Sequence, residues 1–183
     1  MHLTNGNDEL HFFYDAQGRV AVVEYNGVPY RYVHNLQGDI IALIDGAGVK
    51  AVEYWYDAWG KPISKTGVLA STLGTIQPFR YRGYVFDEET GLYYLRSRYY
   101  DSRLDRFINP DELIRGNLYE YCDSNPVSRM DSSGYNSLPY MLDKDTMDDY
   151  RKNYRNSTKR RNSCRFLFRE HLYDRIRSYT GIC

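Results

Sequence analysis

Cysteine is scarce. The chain has 183 residues and three cysteines, Cys122, Cys164 and Cys183. Three is too few for a disulfide framework, and their spacing fits no metal-binding pattern, so neither staples nor a metal or cofactor is expected. No apolar run approaches the ~20 residues that a membrane-crossing helix requires, which excludes such a span. The opening residues Met1-His2-Leu3-Thr4-Asn5-Gly6 have neither a basic leader nor an apolar stretch, so no export signal is expected within this sequence. Net charge is also absent, with 24 Lys+Arg against 24 Asp+Glu. The balance conceals an asymmetry: residues 1–135 carry 13 basic and 18 acidic side chains, and residues 136–183 carry 11 and 6. An acidic body with a basic tail points to two roles in one chain, or to a tail that is simply solvated.

Tyrosine is abundant, with 20 residues, alongside 14 glycines. Tyrosine suits half-buried pleated surfaces and needs a partner for its hydroxyl when buried. Glycine supplies the tight turns between such strands. Residues 10–64 follow that plan. Asn26-Gly27 between Val20–Tyr25 and Val28–Val33 is a strong hairpin signal, because a two-residue type I′ turn needs positive φ at both central positions. Turns are also expected at Asp15–Gly18, Asn35–Gly38, Asp45–Gly48 and Asp57–Gly60. Gly18, Gly38 and Gly60 stand 20 and 22 residues apart, a repeat period. A hairpin unit cannot bury its apolar face alone, so such units stack on one another.

Residues 65–77 are small and polar and are expected to connect two parts. From Pro78 the chain becomes dense in Tyr and Arg, with Leu92–Tyr100 expected as one long hairpin arm carrying Arg96 and Arg98 on a single face. Arginines here are expected to lie over aromatic rings. Beyond residue 135 the period changes, and 146–154 and 166–179 are expected to be helical.

The ordered set Phe79-Arg80-Tyr81-Arg82-Gly83, Asp87-Glu88-Glu89-Thr90-Gly91-Leu92-Tyr93-Tyr94-Leu95, Arg98-Tyr99-Tyr100-Asp101 and Arg106-Phe107-Ile108-Asn109-Pro110-Asp111 resembles the Rhs repeat-associated core. Asn117-Leu118-Tyr119-Glu120-Tyr121, Asn125-Pro126 and Asp131-Ser132-Ser133-Gly134 resemble the end of that core. Tyr14-Asp15 and Tyr56-Asp57, each followed by a turn glycine, are similar to YD repeats. The resemblance covers about residues 10–135. It implies a mainly β fold of antiparallel YD-repeat hairpins stacked as part of a β-shell, with a short α-helical C-terminal tail. The implied organisation is repeats over 1–64, a connection over 65–77, the core over 78–135 and a variable tail over 136–183. It further implies a shell that encloses and presents a C-terminal effector in a secreted or cell-surface parent. Implied partners are upstream YD repeats, the chain's own tail and an immunity protein. For the tail alone, the basic residues near aromatic ones in Lys159-Arg160-Arg161 and Arg165-Phe166-Leu167-Phe168-Arg169 point to nucleic acid, and so to the alternative of a whole or truncated nucleic-acid-directed toxin.

Some members of that family cut themselves between shell and tail by aspartyl-type chemistry. Matching residue for residue places the acids at Asp111 and Asp131, the accompanying arginine at Arg98, and the cut after Tyr135. Two neighbouring carboxylates can divide the acid and base roles of such a reaction. Here Asp111-Glu112-Leu113-Ile114 lacks the family's Pro and Gly, and Asp131-Ser132-Ser133-Gly134 lacks its Pro. The alternative is that both aspartates only form turns.

Overall fold

The computed structural model describes residues 1–4, 6–111, 117–135 and 137–139. The expected tail helices lie outside the described residues.

Seven strands pair antiparallel in chain order to make one sheet: β1 (His2–Thr4), β2 (Glu9–Tyr14), β3 (Val20–Tyr25), β4 (Val28–His34), β5 (Ile40–Ile44), β6 (Lys50–Tyr56) and β7 (Pro62–Thr66). One recurring turn builds it. In Asp15–Gly18, Asn35–Gly38, Asp45–Gly48 and Asp57–Gly60 the glycine N–H donates to the carbonyl of the first residue at 2.9–3.1 Å. The first residue's Oδ1 then accepts two further N–H groups, two and four residues on, at 2.8–2.9 Å. A short side-chain acceptor at the first position is what this geometry requires, and it explains why Asp or Asn recurs there. The strand register shifts immediately before each turn, at Tyr14, His34, Ile44 and Tyr56, as the bulged form of a short hairpin demands. Between β3 and β4 the turn is the expected Asn26-Gly27 pair, with φ of 51° and 80°.

One sheet face is apolar. Leu10, Phe12, Val23, Tyr32, Ile40, Leu43, Val52 and Tyr54 are buried there against Leu73. Leu73 belongs to α1 (Leu73–Ile76), a single helical turn inside the stretch expected to be a connecting loop. Fully buried Gln77 closes this region: Tyr32 Oη donates to its Oε1 at 3.0 Å, and its Nε2 donates to Tyr54 Oη at 2.8 Å and the Phe79 carbonyl at 2.9 Å. The polar-looking segment is thus a lid on the sheet.

A second, smaller sheet follows, in the order β11-β10-β9-β8, from β8 (Val85–Asp87), β9 (Leu92–Tyr94), β10 (Tyr99–Asp101) and β11 (Arg106–Phe107). Its core is aromatic: Tyr81, Tyr84, Tyr93, Tyr100, Phe107 and Tyr121 are all buried with Leu95 and Cys122. Three of these tyrosines donate their hydroxyls to consecutive carbonyls of the last repeat turn. Tyr81 reaches Ala58 at 2.9 Å, Tyr100 reaches Trp59 at 2.7 Å and Tyr93 reaches Gly60 at 2.7 Å. Gly60 is required twice over, by its φ of +87° and because a Cβ there would lie 2.5 Å from the Tyr81 ring. The final repeat turn is therefore the joint between the seven-stranded sheet (the wall) and the smaller sheet with its aromatic core (the plug).

The expected single arm Leu92–Tyr100 is instead two strands. Arg96 takes a left-handed φ of 70°, and Leu95 N–H donates to the Arg98 carbonyl at 3.0 Å, so β9 and β10 form a hairpin of their own. Arg96 and Arg98 consequently do not share a strand face. A last pair, β12 (Arg129–Met130) and β13 (Leu138–Pro139), is antiparallel.

The arginines do sit over rings: Arg80 at 4.5 Å from the Tyr54 centroid, Arg82 at 5.2 Å from Tyr81 and Arg98 at 3.6 Å from Phe107. Each also gathers backbone carbonyls. Buried Arg80 donates to those of Gly74, Thr75, Gln77 and Phe79. Arg82 donates to Gln37 and Pro126, tying the Asn35–Gly38 turn to the far end of the plug.

Candidate functional site

The turn between β9 and β10 sends Arg98 inward, leaving it 6% exposed. Its Nη2 lies 3.3 Å from Asp111 Oδ2 and 3.6 Å from Asp131 Oδ2. Nη1 donates to the Leu118 carbonyl at 3.1 Å, and Nε donates to the Gly134 carbonyl. The three residues matched from sequence, Arg98, Asp111 and Asp131, therefore meet at one point. Burial lowers the Arg98 pKa, and the two carboxylates oppose that shift. An arginine remains charged under such a shift, so the guanidinium offsets the mutual repulsion of the acid pair.

Asp131, 1% exposed, has two jobs. Oδ2 faces Arg98. Oδ1 accepts the N–H groups of Ser133, Gly134 and Tyr135 at 3.1, 2.8 and 3.2 Å, and the Ser133 hydroxyl at 3.2 Å. It is thus both a turn former and a member of the charged cluster. Asp111 is anchored by its N–H, which donates to the Leu118 carbonyl at 2.8 Å. The Gly134–Tyr135 peptide has its carbonyl on Arg98 and its N–H on Asp131, one bond before the expected cut after Tyr135. Ser97 Oγ donates to the Ser133 carbonyl at 2.8 Å, so the segment rests on the β9–β10 turn.

These groups line an open cleft of about 240 Å³, with Tyr135 in its wall. Cys122 also lines it, and burial pushes its thiol up to about 12, which favours the protonated form at neutral pH. Sequence reasoning missed a second cluster on the cleft wall. Arg129 Nη2 pairs with Asp123 Oδ2 at 2.7 Å, Ser137 Oγ donates to the same carboxylate oxygen at 2.7 Å, and Arg129 Nε donates to Ser137 Oγ at 3.0 Å. Together with the β12–β13 pairing, this grips the chain just beyond Tyr135. No periodicity could have announced it, because the partner of β12 lies past the last motif glycine.

A sheet laid down in chain order by repeated Asx-x-x-Gly turns, with its last turn packed against a tyrosine-rich second sheet, defines a β-repeat protein. The chain belongs to the teneurin YD-shell family, whose model matches residues 2–128. It is 38% identical over 131 residues to the tRNA3(Ser)-specific nuclease WapA of Bacillus spizizenii, a match covering 68% of this chain and 6% of that protein. It is 41% identical over 113 residues to the tRNA(Glu)-specific nuclease WapA of Bacillus subtilis subsp. natto, covering 58% of this chain and 5% of that protein. The crystal structure of TcdB2-TccC3 without its hypervariable C-terminal region superposes with a TM-score of 0.59 at 26% identity, covering 69% of this chain and 6% of the other. The chain thus spans about one-twentieth of the length of these proteins. Among the described residues, no helix is long and apolar enough to cross a membrane.

Proposed function

We propose that this chain is the closing module of an Rhs/YD-repeat shell, and that its work is to fasten and present the segment that follows Tyr135. One observation carries this reading: the plug holds the outgoing chain at Gly134–Tyr135 by Arg98 and Asp131, and again at Ser137 by Asp123 and Arg129. A module whose task ended at its own core would have no need of that grip. The WapA relatives support it too, because proteins named for different tRNAs share this region. The shared part is then a carrier and the specificity lies beyond it. In a longer parent, preceding repeats would extend the sheet at β1, and the parent would act outside the producing cell.

The test is an exchange. Residues 140–183 are replaced by an unrelated soluble sequence, and urea denaturation is followed by tyrosine fluorescence. A carrier keeps its unfolding free energy within about 0.5 kcal/mol, the usual effect of changes outside a packed region. Loss of the folded state on exchange would contradict the proposal.

A second reading is favoured by the convergence of Arg98, Asp111 and Asp131 beside Tyr135: the module cuts the chain after Tyr135, one carboxylate activating water and the other protonating the leaving amine. Intact mass measured over time tests it. Self-cleavage yields a 1–135 fragment that is absent from Asp111→Asn and Asp131→Asn. An unchanged full-length mass in the parent chain and both variants would exclude it.

A further inference from the structure

Three side chains at the first edge of the large sheet have no part in the reading above. His2 on β1 and His11 on β2 are registered cross-strand partners. Glu9 precedes His11 by two residues and so shares its face of the sheet. His11 Nε2 lies 3.1 Å from Glu9 Oε1, and His2 Nε2 lies 3.5 Å from the same oxygen. The two imidazoles meet edge-on with centroids 4.2 Å apart. One ligand-capable atom from each of the three residues falls within 4.8 Å of the other two.

The position of Glu9 is fixed by its backbone. Its N–H donates to Asn26 Oδ1 at 2.8 Å, and its carbonyl accepts Asn26 N–H at 2.9 Å. The neighbouring Asp8 is held by Tyr25 Oη at 2.6 Å and Asn26 Nδ2 at 3.2 Å. The Asn26-Gly27 turn thus sets the register of β2 at the point where the two histidines and the glutamate converge. Glu24 stands opposite His11 on β3 and adds negative charge beside the group. Exposed His–Glu pairs contribute little to stability by themselves, which leaves the convergence without a structural purpose.

We propose that His2, Glu9 and His11 form a surface site for one divalent transition-metal ion of the zinc type. Nε2 of each histidine and a Glu9 carboxylate oxygen would be the ligands, with water completing the shell. Two imidazoles and one carboxylate suit zinc, whereas magnesium and calcium prefer an all-oxygen shell. The ion would join β1 to β2 and so pin the first edge of the sheet.

Isothermal titration of the full chain with zinc chloride tests this. The expected result is a zinc equivalent that is absent from His2→Ala and His11→Ala and at least about tenfold weaker in Glu9→Gln. That equivalent persists in His34→Gln and in excess magnesium. The cysteines and the remaining histidine contribute the same background to every variant, and circular dichroism establishes that each is folded. Identical zinc stoichiometry and affinity in the parent chain and in both alanine variants would overturn the site, as would its displacement by magnesium.

Discussion

Gly60 and Gly38 occupy equivalent turn positions with nearly the same φ, +87° and +85°, yet they differ in surroundings. A Cβ at Gly38 meets open space, whereas one at Gly60 strikes the Tyr81 ring. Gly38→Ala should therefore cost about 1 kcal/mol, the backbone penalty alone. Gly60→Ala should cost about 2–4 kcal/mol, since overpacking adds to it. Chemical denaturation of the two variants measures the difference, and equal losses would mean that Tyr81 does not seat on the turn. The need for glycine at both positions was legible in the sequence. The tyrosine that rests on one of them was not, because the contact joins residues that no local pattern connects. Asp131 differs: its turn role follows from the local Asp-Ser-Ser-Gly order, whereas its place beside Arg98, which depends on how β10 and β12 are placed, was expected only from the family resemblance.

Among the elements, the strands and turns of residues 10–64 were readable because Asx-x-x-Gly chemistry is local. Beyond them several features were not, among them α1, the break at Arg96 and the β12–β13 pair. The one-turn helix Leu73–Ile76 is too short to display a period, and Leu73 alone reveals it, by being buried. The break at Arg96 was hidden because Leu92–Tyr100 alternates like one continuous strand, yet the β9–β10 pairing and the inward reach of Arg98 outweigh the left-handed residue it requires. The joint between the sheets rests on three tyrosine hydroxyls. Tyr93→Phe and Tyr100→Phe should each lose about 1–3 kcal/mol, the former more, because the buried Gly60 carbonyl and the part-buried Trp59 carbonyl are left without their donors. Thermal unfolding of the two variants checks this, and a loss no greater than that of Tyr119→Phe, a residue 40% exposed, would contradict it.

For the whole molecule, the aromatic plug predicts an alkaline limit. Burial raises the phenol pKa of Tyr84, Tyr93, Tyr100 and Tyr121, and pushes Tyr81 up to about 12. In the unfolded chain these groups lose their protons near about pH 10. The stability they contribute is fully present below that pH and declines above it, because the unfolded state then binds fewer protons than the folded one. Phenolate absorbance should rise in two steps, exposed tyrosines first and the buried set only with unfolding; a single step near the ordinary value would count against the core described. The central claim is that wall, plug and outgoing segment are one construction, with Arg98 and Asp131 holding the exit. Hydrogen exchange followed by mass spectrometry tests it most directly. Peptides containing the Gly134 and Tyr135 amides, both bound to Asp131, should exchange as slowly as those of β9 and β10 and become fast in Arg98→Ala. Rapid exchange at Gly134 and Tyr135 in the parent chain, while β9 and β10 stay protected, would contradict it.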